Sequence, residues 1–313
     1  MNAQRKRQVL AILTTCLFGW AFSYVATNVY RDYAFGLFVW LPTVMGTSST
    51  LIQGYRNPIE KKHYRNTAYL SMFIFCLGLL TFAWEGIICM VMAAPIGILF
   101  TWIGYRLGNF ILKSSLNPNI PTAIIVLILS VPAMMSFENI LSQEDETRSI
   151  ITSIVIKASP EVVWKNVVQF PQLNEPEEFI FRVGIAYPIS ATISGANVGA
   201  IRYCNFSTGS FVEPIKVWDE PNLLQFSVEG QPEPMKEISP YKIHPNHLQG
   251  YWVSKKGQFK LTRLPDGNTM LEGTTWYVNK IKPAFYWTLW SDYIVHKIHL
   301  RVLEHIRTQA ENK

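Results

Sequence analysis

Long apolar runs in the first 136 residues constrain this chain more than any other feature. A helix needs about 20 predominantly apolar residues to cross the hydrocarbon core of a bilayer. Short polar or charged segments separate five runs that approach this length, at residues 9–27, 34–52, 68–84, 87–105 and 120–135. The sequence therefore predicts a multi-pass α-helical membrane region over residues 1–136, with about five helices.

Charge is distributed unevenly between the two halves of the chain. Residues 1–136 carry ten Lys and Arg but three acidic residues, whereas residues 137–313 carry 18 basic and 19 acidic residues. The positive excess lies in short connections between apolar runs and not on one face of a folded domain. This is the Lys/Arg bias of membrane loops, and it predicts no nucleic-acid partner.

The same charges predict an orientation. Basic residues flank the first run and fill the second and fourth connections, whereas the other connections hold only Arg31. Because positive residues accumulate on the cytoplasmic side, we expect a cytoplasmic N-terminus in the cytoplasmic (inner) membrane. With five spans the second half of the chain is extracytoplasmic, and four spans would reverse that side.

The second half has the pattern of one water-soluble α+β domain. A polar linker is predicted at residues 137–148, followed by a domain at 149–313. Ser159-Pro160-Glu161 has the residues of a helix start, and Pro265-Asp266-Gly267-Asn268 is typical of a hairpin turn. The predicted order is a strand at 149–157, helices at 160–170 and 176–183, a curved antiparallel sheet, and a long helix at 283–310. We expect that helix to pack across the sheet and leave a cavity between them.

This order resembles a known superfamily. Ser159-Pro160-Glu161-Val162-Val163-Trp164, the segment 198–204 and the Trp-rich final helix look like the START-like superfamily (SRPBCC, Bet v 1-like, helix-grip) of polyketide cyclases and lipid-transport proteins. The resemblance covers about residues 150–310. It implies a hydrophobic ligand cavity that binds or transfers a lipid or, less often, supports catalysis. The five predicted spans depart from the soluble members of that superfamily.

Two neighbouring strands predict a charged pair on an otherwise apolar sheet face. Pairing across a four-residue turn at 207–210 places Cys204 opposite Glu213, and Arg202 diagonal to Glu213, near Phe211. A buried charge requires a partner. We predict Arg202, Glu213 and Phe211 as ligand-binding residues, and a structural ion pair is the alternative.

The final helix predicts a second polar group. At about 100° per residue, Asp292, His296 and His299 fall opposite the Lys297, Arg301 and Glu304 face. Asp292, His296 and His299 are predicted to contact ligand, with satisfied core histidines or metal ligation as alternatives. No fourth ligand is evident in the sequence, so no metal is predicted.

The remaining motifs favour binding over catalysis. The sequence has no phosphate loop, dinucleotide fingerprint, nucleophile elbow or Cys-x2-Cys spacing, so we expect no cofactor. The proline-rich segment 231–249 is predicted to be a lid over the cavity. The leading hypothesis is a membrane-anchored domain that binds or transfers a lipid or other hydrophobic small molecule. The alternatives are a cyclase, hydrolase or isomerase acting on an apolar substrate, or a membrane sensor or scaffold with an unknown protein partner.

Overall fold

The structure is a computed structural model that describes residues 3–30, 33–56, 60–114, 119–141 and 146–312. Its contacts divide the chain into two compact units. The helical unit comprises Met1–Glu144, Glu237–Asn246 and Ile281–Pro283, and the sheet unit comprises Asp145–Lys236, His247–Lys280 and Ala284–Lys313. The helix at Ile120–Leu141 includes the first five residues of the predicted linker, 137–141. Residues 142–145 of that linker lie outside the described residues.

Five helical segments form most of the helical unit. They are α1 (Ala3–Tyr24) with its π-helical extension Val25–Tyr30, the π-helical turn Gly36–Trp40 leading into α2 (Leu41–Gly54), α3 (Lys61–Thr81), α4 (Ile87–Lys113) and α5 (Ile120–Leu141). Arg31 and Asp32, predicted to separate the first two spans, lie outside the described residues.

Hydrogen bonds at the two ends of the helical unit show that these segments alternate in direction. At one end, the Arg7 guanidinium donates to the carbonyl oxygen of Tyr55, at the end of α2 (2.6 Å). At the other end, the Tyr33 hydroxyl donates to Glu85, between α3 and α4 (3.2 Å). The carboxylate of Glu138 on α5 accepts backbone N–H bonds at residues 35 and 36, at the same end as Tyr33. The first and third connections therefore lie together with the end of α5.

Three described helices are long and apolar enough to span a membrane: Gln4–Tyr30, Ile87–Lys113 and Ile120–Glu138. The other two predicted spans form helices that are not among these three. α2 has 14 residues and contains several Ser and Thr residues, and α3 begins with basic residues at 61, 62 and 65. The structure thus supports five helical segments, of which three have the length and composition of a membrane span.

Glycine lets α2 and α4 approach at backbone distance. A Cβ atom at Gly46 would lie 2.4 Å from the Thr101 carbonyl oxygen, and one at Gly104 would lie 2.1 Å from the Thr43 carbonyl oxygen. The Thr47 hydroxyl donates to the Gly104 carbonyl oxygen across this contact (3.1 Å). Small residues that bring helix backbones together are the usual packing device of membrane helices.

One segment from the second half of the chain belongs to the helical unit. The Glu237 carboxylate accepts the backbone N–H groups of Ile88 and Cys89 (3.0 Å each), and the Ile238 carbonyl accepts that of Ile87 (2.9 Å). The first N–H groups of a helix have no partner within it, and its N-terminus carries partial positive charge. Glu237, in the middle of the predicted lid, therefore caps α4, a role that was not predicted.

The sheet unit confirms the predicted α+β order in outline. Its helices are α6 (Pro160–Val168), the four-residue α7 (Phe179–Arg182) and α8 (Ala284–Glu311). Its strands are β1 (Thr147–Ile156), β2 (Pro188–Ser194), β3 (Ile201–Phe206), β4 (Gly209–Asp219), β5 (Leu223–Ser227), β6 (Trp252–Arg263) and β7 (Thr269–Asn279). They form one antiparallel sheet in the order β1-β7-β6-β5-β4-β3-β2, with α6 and α7 between β1 and β2. This is a helix-grip arrangement.

The sequence pattern predicts a strand at 257–264, but β6 begins five residues earlier, at Trp252. The exposed Lys255 and Lys256 and an irregularity in pairing between Ser254 and Lys256 interrupt the alternation of apolar and polar residues. Because of that interruption, the first part of the strand lacks the alternation from which a strand is predicted.

Helix α8 packs directly against β1 and β7. Leu303 and Ile306 of α8 are fully buried in one apolar core with Leu271 of β7 and Leu224 of β5. A Cβ atom at Gly273 would meet the Leu303 side chain at 3.6 Å, an ordinary van der Waals distance. Side chains therefore pack between the C-terminal half of α8 and the sheet, where we expected a cavity. The reason is that large aliphatic residues extend into this space from both the helix and the sheet.

Candidate functional site

The charged pair of the β3–β4 hairpin lies in the sheet core. Arg202 stands directly opposite Glu213, and pairing continues to Phe206 and Gly209. The predicted register, with Cys204 opposite Glu213, is therefore wrong by two residues. The turn has two residues, Ser207 and Thr208, where four were expected. A shift of two positions keeps each side chain on its face, so the pair itself survives the correction.

Aromatic rings and a backbone carbonyl complete the surroundings of Arg202. Arg202 is 1% exposed, and its guanidinium donates to Glu213, which is 6% exposed, and to the Val168 carbonyl (3.2 Å). The rings of Phe170, Phe226 and Phe259 lie 5.4–5.6 Å from the guanidinium carbon. Burial raises the pKa of the Glu213 carboxyl, and the Arg202 cation opposes that shift.

Cys204 and Phe211 flank the charged pair on the hairpin. Burial raises the pKa of the Cys204 thiol to about 12, so the thiol stays protonated near neutral pH. Phe211 is half-buried at the edge of the core, with its ring centroid 4.8 Å from that of Phe206. The hairpin residues predicted to bind ligand are thus held by other protein groups.

The Asp292 carboxylate joins α8 to both neighbouring strands. One oxygen accepts a bond from the Arg148 guanidinium of β1 (2.8 Å), and the other accepts the Tyr277 hydroxyl of β7. Burial, the hydrogen bond and the Asp292 charge raise the pKa of Tyr277.

Two histidines on the next turns of α8 share one hydroxyl. Thr152 Oγ1 of β1 lies 2.8 Å from His296 Nδ1 and 3.1 Å from His299 Nδ1, and His299 Nε2 lies 2.7 Å from Thr275 Oγ1 of β7. A hydroxyl donates one hydrogen bond and accepts others, so the groups form a chain from His296 to Thr275. In the part of the chain that the structure describes, the possible metal-ligand atoms of Asp292, His296 and His299 do not all lie within 4.8 Å of one another.

The environment of His299 predicts a pH-dependent stability. Burial lowers the pKa of His299 to about 4, helped by the His296 charge, whereas an unfolded histidine titrates near 6.5. The folded state then binds fewer protons between these values. The contribution of His299 to the free energy of unfolding should therefore be fully present above pH 6.5. It should fall by about 1.4 kcal/mol per pH unit between pH 6.5 and pH 4.

Substitution of His299 by glutamine tests this prediction. Glutamine stays neutral, so the variant should lose that slope when chemical denaturation is followed between pH 7 and pH 4. The nearby Asp292, Arg148, Tyr277 and His296 remain in both proteins, so the comparison isolates residue 299. Equal slopes in parent and variant would contradict the assignment.

A pocket of about 400 Å³ lies at the opposite edge of the sheet from β1. It is lined by residues of the segment after α6, by the residue before β2 and by one residue of β2: Gln172, Leu173, Asn174, Glu175, Tyr187 and Ile189. Leu173 is buried and also belongs to the apolar core, whereas residues 172, 174 and 175 are exposed. The pocket therefore has a polar rim and an apolar floor continuous with the core.

Arg301 of α8 holds the two sides of this pocket together. Its guanidinium donates to the carbonyl oxygens of Asn174 and Pro188 (3.3 Å to the latter) and lies 5.4 Å from the centroid of the Tyr187 ring. Burial lowers the pKa of Arg301, and nearby acidic groups oppose the shift. The helical pattern predicts Arg301 on the solvent face of α8, and the structure leaves it half-buried because the 171–175 segment packs beside the helix. In the sequence, Pro171 and Pro176 indicate an irregular segment there but not its position.

Comparison with known proteins gives structural likeness alone. No family model matches the sequence, and no curated protein matches it. A protein of Nitrosospira multiformis is 18% identical, with 52% of this chain and 95% of that chain covered and a TM-score of 0.33. Truncated norcoclaurine synthase from Thalictrum flavum is 14% identical (53% and 94% covered, TM-score 0.33). Major latex-like protein 151 from Panax ginseng is also 14% identical (52% and 97% covered, TM-score 0.33). The functional argument therefore depends on the residues of this chain.

Proposed function

We propose that this chain is a membrane-anchored helix-grip protein that binds a hydrophobic small molecule or a lipid. The observation that carries the proposal is the pocket beside β2, whose floor at Leu173 is part of the apolar core. A polar rim over an apolar floor fits a ligand with an apolar body and one hydrogen-bonding end.

The pocket volume limits the ligand. Ligand pockets usually measure about 300–1,000 Å³, and this one, at about 400 Å³, lies near the lower limit. We therefore favour a ring compound or a single acyl chain over a lipid with two long chains. The exposed Gln172, Asn174 and Glu175 supply both donors and acceptors for the polar end.

Membrane anchoring is the second part of the proposal. Three helices of suitable length and composition support it, and the Lys/Arg bias supports a cytoplasmic N-terminus with the sheet unit outside. Protease treatment of intact cells tests on which side of the membrane the sheet unit lies. Cleavage in the sheet unit without lysis is expected, and protection until lysis would reverse the orientation.

Filling the pocket should remove bound ligand. We expect Ile189→Trp, which places a large ring in the pocket, to abolish the ligand-bound species in native mass spectrometry of the detergent-solubilised protein. Gln172→Trp, from the exposed rim, tests the same pocket without touching the core. Ile151→Trp, at an exposed position of β1, is the matched control and should retain the ligand. Equal ligand occupancy in all four proteins would exclude this pocket.

A second location follows from the residues predicted from sequence. If a ligand instead contacts Arg202, Glu213, Phe211, Asp292, His296 or His299, it must displace the bonds that hold them. His299→Gln should then reduce ligand occupancy while Ile189→Trp leaves it unchanged, the reverse of the result expected for the pocket.

The hydrogen-bond chain through Thr152 favours one alternative function, an enzyme with a proton relay. His299 is bonded through both ring nitrogens, to Thr152 and to Thr275, which is the geometry of a proton relay through an imidazole. Loss of turnover with retained ligand binding in His299→Gln would favour catalysis over binding alone.

A further inference from the structure

An apolar stripe lies exposed along the first half of α8. Phe285, Leu289 and Tyr293 follow one another at intervals of four residues and are 69%, 67% and 48% exposed. Single exposed apolar residues are normal on a protein surface, but three in line on one helix form a continuous patch. Burial of such a patch against a partner is favourable because it removes apolar area from water.

The order of side chains along the stripe matches the depth profile of a membrane interface. Phe285 and Leu289 are wholly apolar, Tyr293 is apolar with a polar tip, and Lys297 continues the line with its ammonium group 5.7 Å from the centroid of the Tyr293 ring. Aromatic residues with polar tips favour the headgroup level, and lysine extends its charge towards phosphates. A protein partner places no such requirement on the order.

The start of α8 is covalently joined to the helical unit, which is the part of the chain proposed to lie in the bilayer. Ile281–Pro283 belong to the helical unit, which contains the three candidate spans, and α8 begins at the next residue, Ala284. The end of α8 that carries Phe285 is therefore the end joined to the helical unit. Lys280 and Lys282, just before it, add positive charge that complements anionic headgroups.

We infer that the stripe of Phe285, Leu289 and Tyr293 inserts into the headgroup region of the bilayer, with Phe285 deepest and Lys297 at the phosphates. The distance from Phe285 to Tyr293 along the helix is about 12 Å, and one headgroup layer is about 5–8 Å thick. An inclined α8 spans that layer. The inference rests on the proposed membrane anchoring but not on the proposed ligand.

Spin labels test the insertion in the full chain. Cysteine is introduced at Phe285, Leu289 or Tyr293, and at the exposed Thr308 of the same helix as control. The labelled proteins are reconstituted in nanodiscs of phosphatidylcholine and phosphatidylglycerol. The unmodified chain, carried through the same labelling, gives the background from Cys16, Cys76, Cys89 and Cys204. The four positions that receive a cysteine are all exposed on α8, so the labels do not disturb the core.

We expect the ratio of oxygen to nickel-chelate collision rates to be several-fold higher at residue 289 than at residue 308, and to decrease from 285 to 293. Equal ratios at 289 and 308 would overturn the inference. Spin–spin broadening at 289 would overturn it in favour of contact between two copies of the chain. Co-purification of the protein with nanodiscs reports membrane anchoring separately, so failure of the anchoring proposal is distinguished from failure of the stripe.

Discussion

Replacement of Arg202 by methionine is expected to destabilise the sheet unit by about 3–5 kcal/mol, because it leaves the buried Glu213 carboxylate without a cation. Arg202 is 1% exposed, and its guanidinium bonds both Glu213 and the Val168 carbonyl. Methionine fills similar volume, so the loss measures the uncompensated charge more than a cavity. Hydrogen exchange of β3 and β4 peptides in the solubilised full-length protein measures the change as faster opening.

Two further variants distinguish charge from packing. The double substitution Arg202→Met with Glu213→Leu removes both charges and should recover at least half of the loss, because a well-packed apolar pair replaces a buried ion pair at little cost. Lys216→Met breaks the exposed Lys216–Glu229 pair of the same sheet (3.8 Å) and should change stability by less than about 1 kcal/mol. Similar effects of Arg202→Met and Lys216→Met would show that burial does not control the contribution of the pair.

Replacement of Gly104 by alanine is expected to have the largest effect among small changes in the helical unit. The added methyl would lie 2.1 Å from the Thr43 carbonyl oxygen and 3.0 Å from the Thr47 backbone nitrogen. Backbone atoms cannot move aside alone, so α2 and α4 must separate. We expect a loss of about 1–3 kcal/mol, the usual range for overpacking, measured as a lower melting temperature in detergent.

Gly97 on the same helix provides the matched control. An added methyl there would meet the terminal methyl of Met72 at 2.9 Å, and that flexible side chain can move. Gly97→Ala should therefore melt close to the parent protein. Equal melting temperatures for the two variants would mean that the close approach of α2 and α4 does not limit stability.

Local pattern predicted much of the fold. The charge asymmetry and apolar runs separated the two halves, and Pro160 begins α6 as its helix-start motif indicated. The long final helix and the Pro265–Asn268 turn were also predicted from neighbouring residues. These features depend on interactions within a few positions, which a sequence displays directly.

Features that depend on distant contacts were missed. The β3–β4 register was wrong because the Ser207–Ser210 segment permits turns of two or four residues, and strand pairing decides between them. The role of Arg301 depends on carbonyl groups more than 100 residues earlier, and the cap of Glu237 on α4 joins residues about 150 positions apart. No local pattern encodes such pairs, so the pocket beside β2 was not predicted.

Helix α2 also has a consequence for how the protein is made. Its Thr43, Thr47 and Thr50 hydroxyls donate to carbonyl oxygens of the preceding turn, and nearly all of its residues are buried. Polar side chains of this kind make insertion of a segment into lipid less favourable. Its main partner, α4, is synthesised more than 40 residues later. If the helical unit lies in a membrane, as proposed, stable insertion of α2 would depend on α4, which leaves the ribosome later.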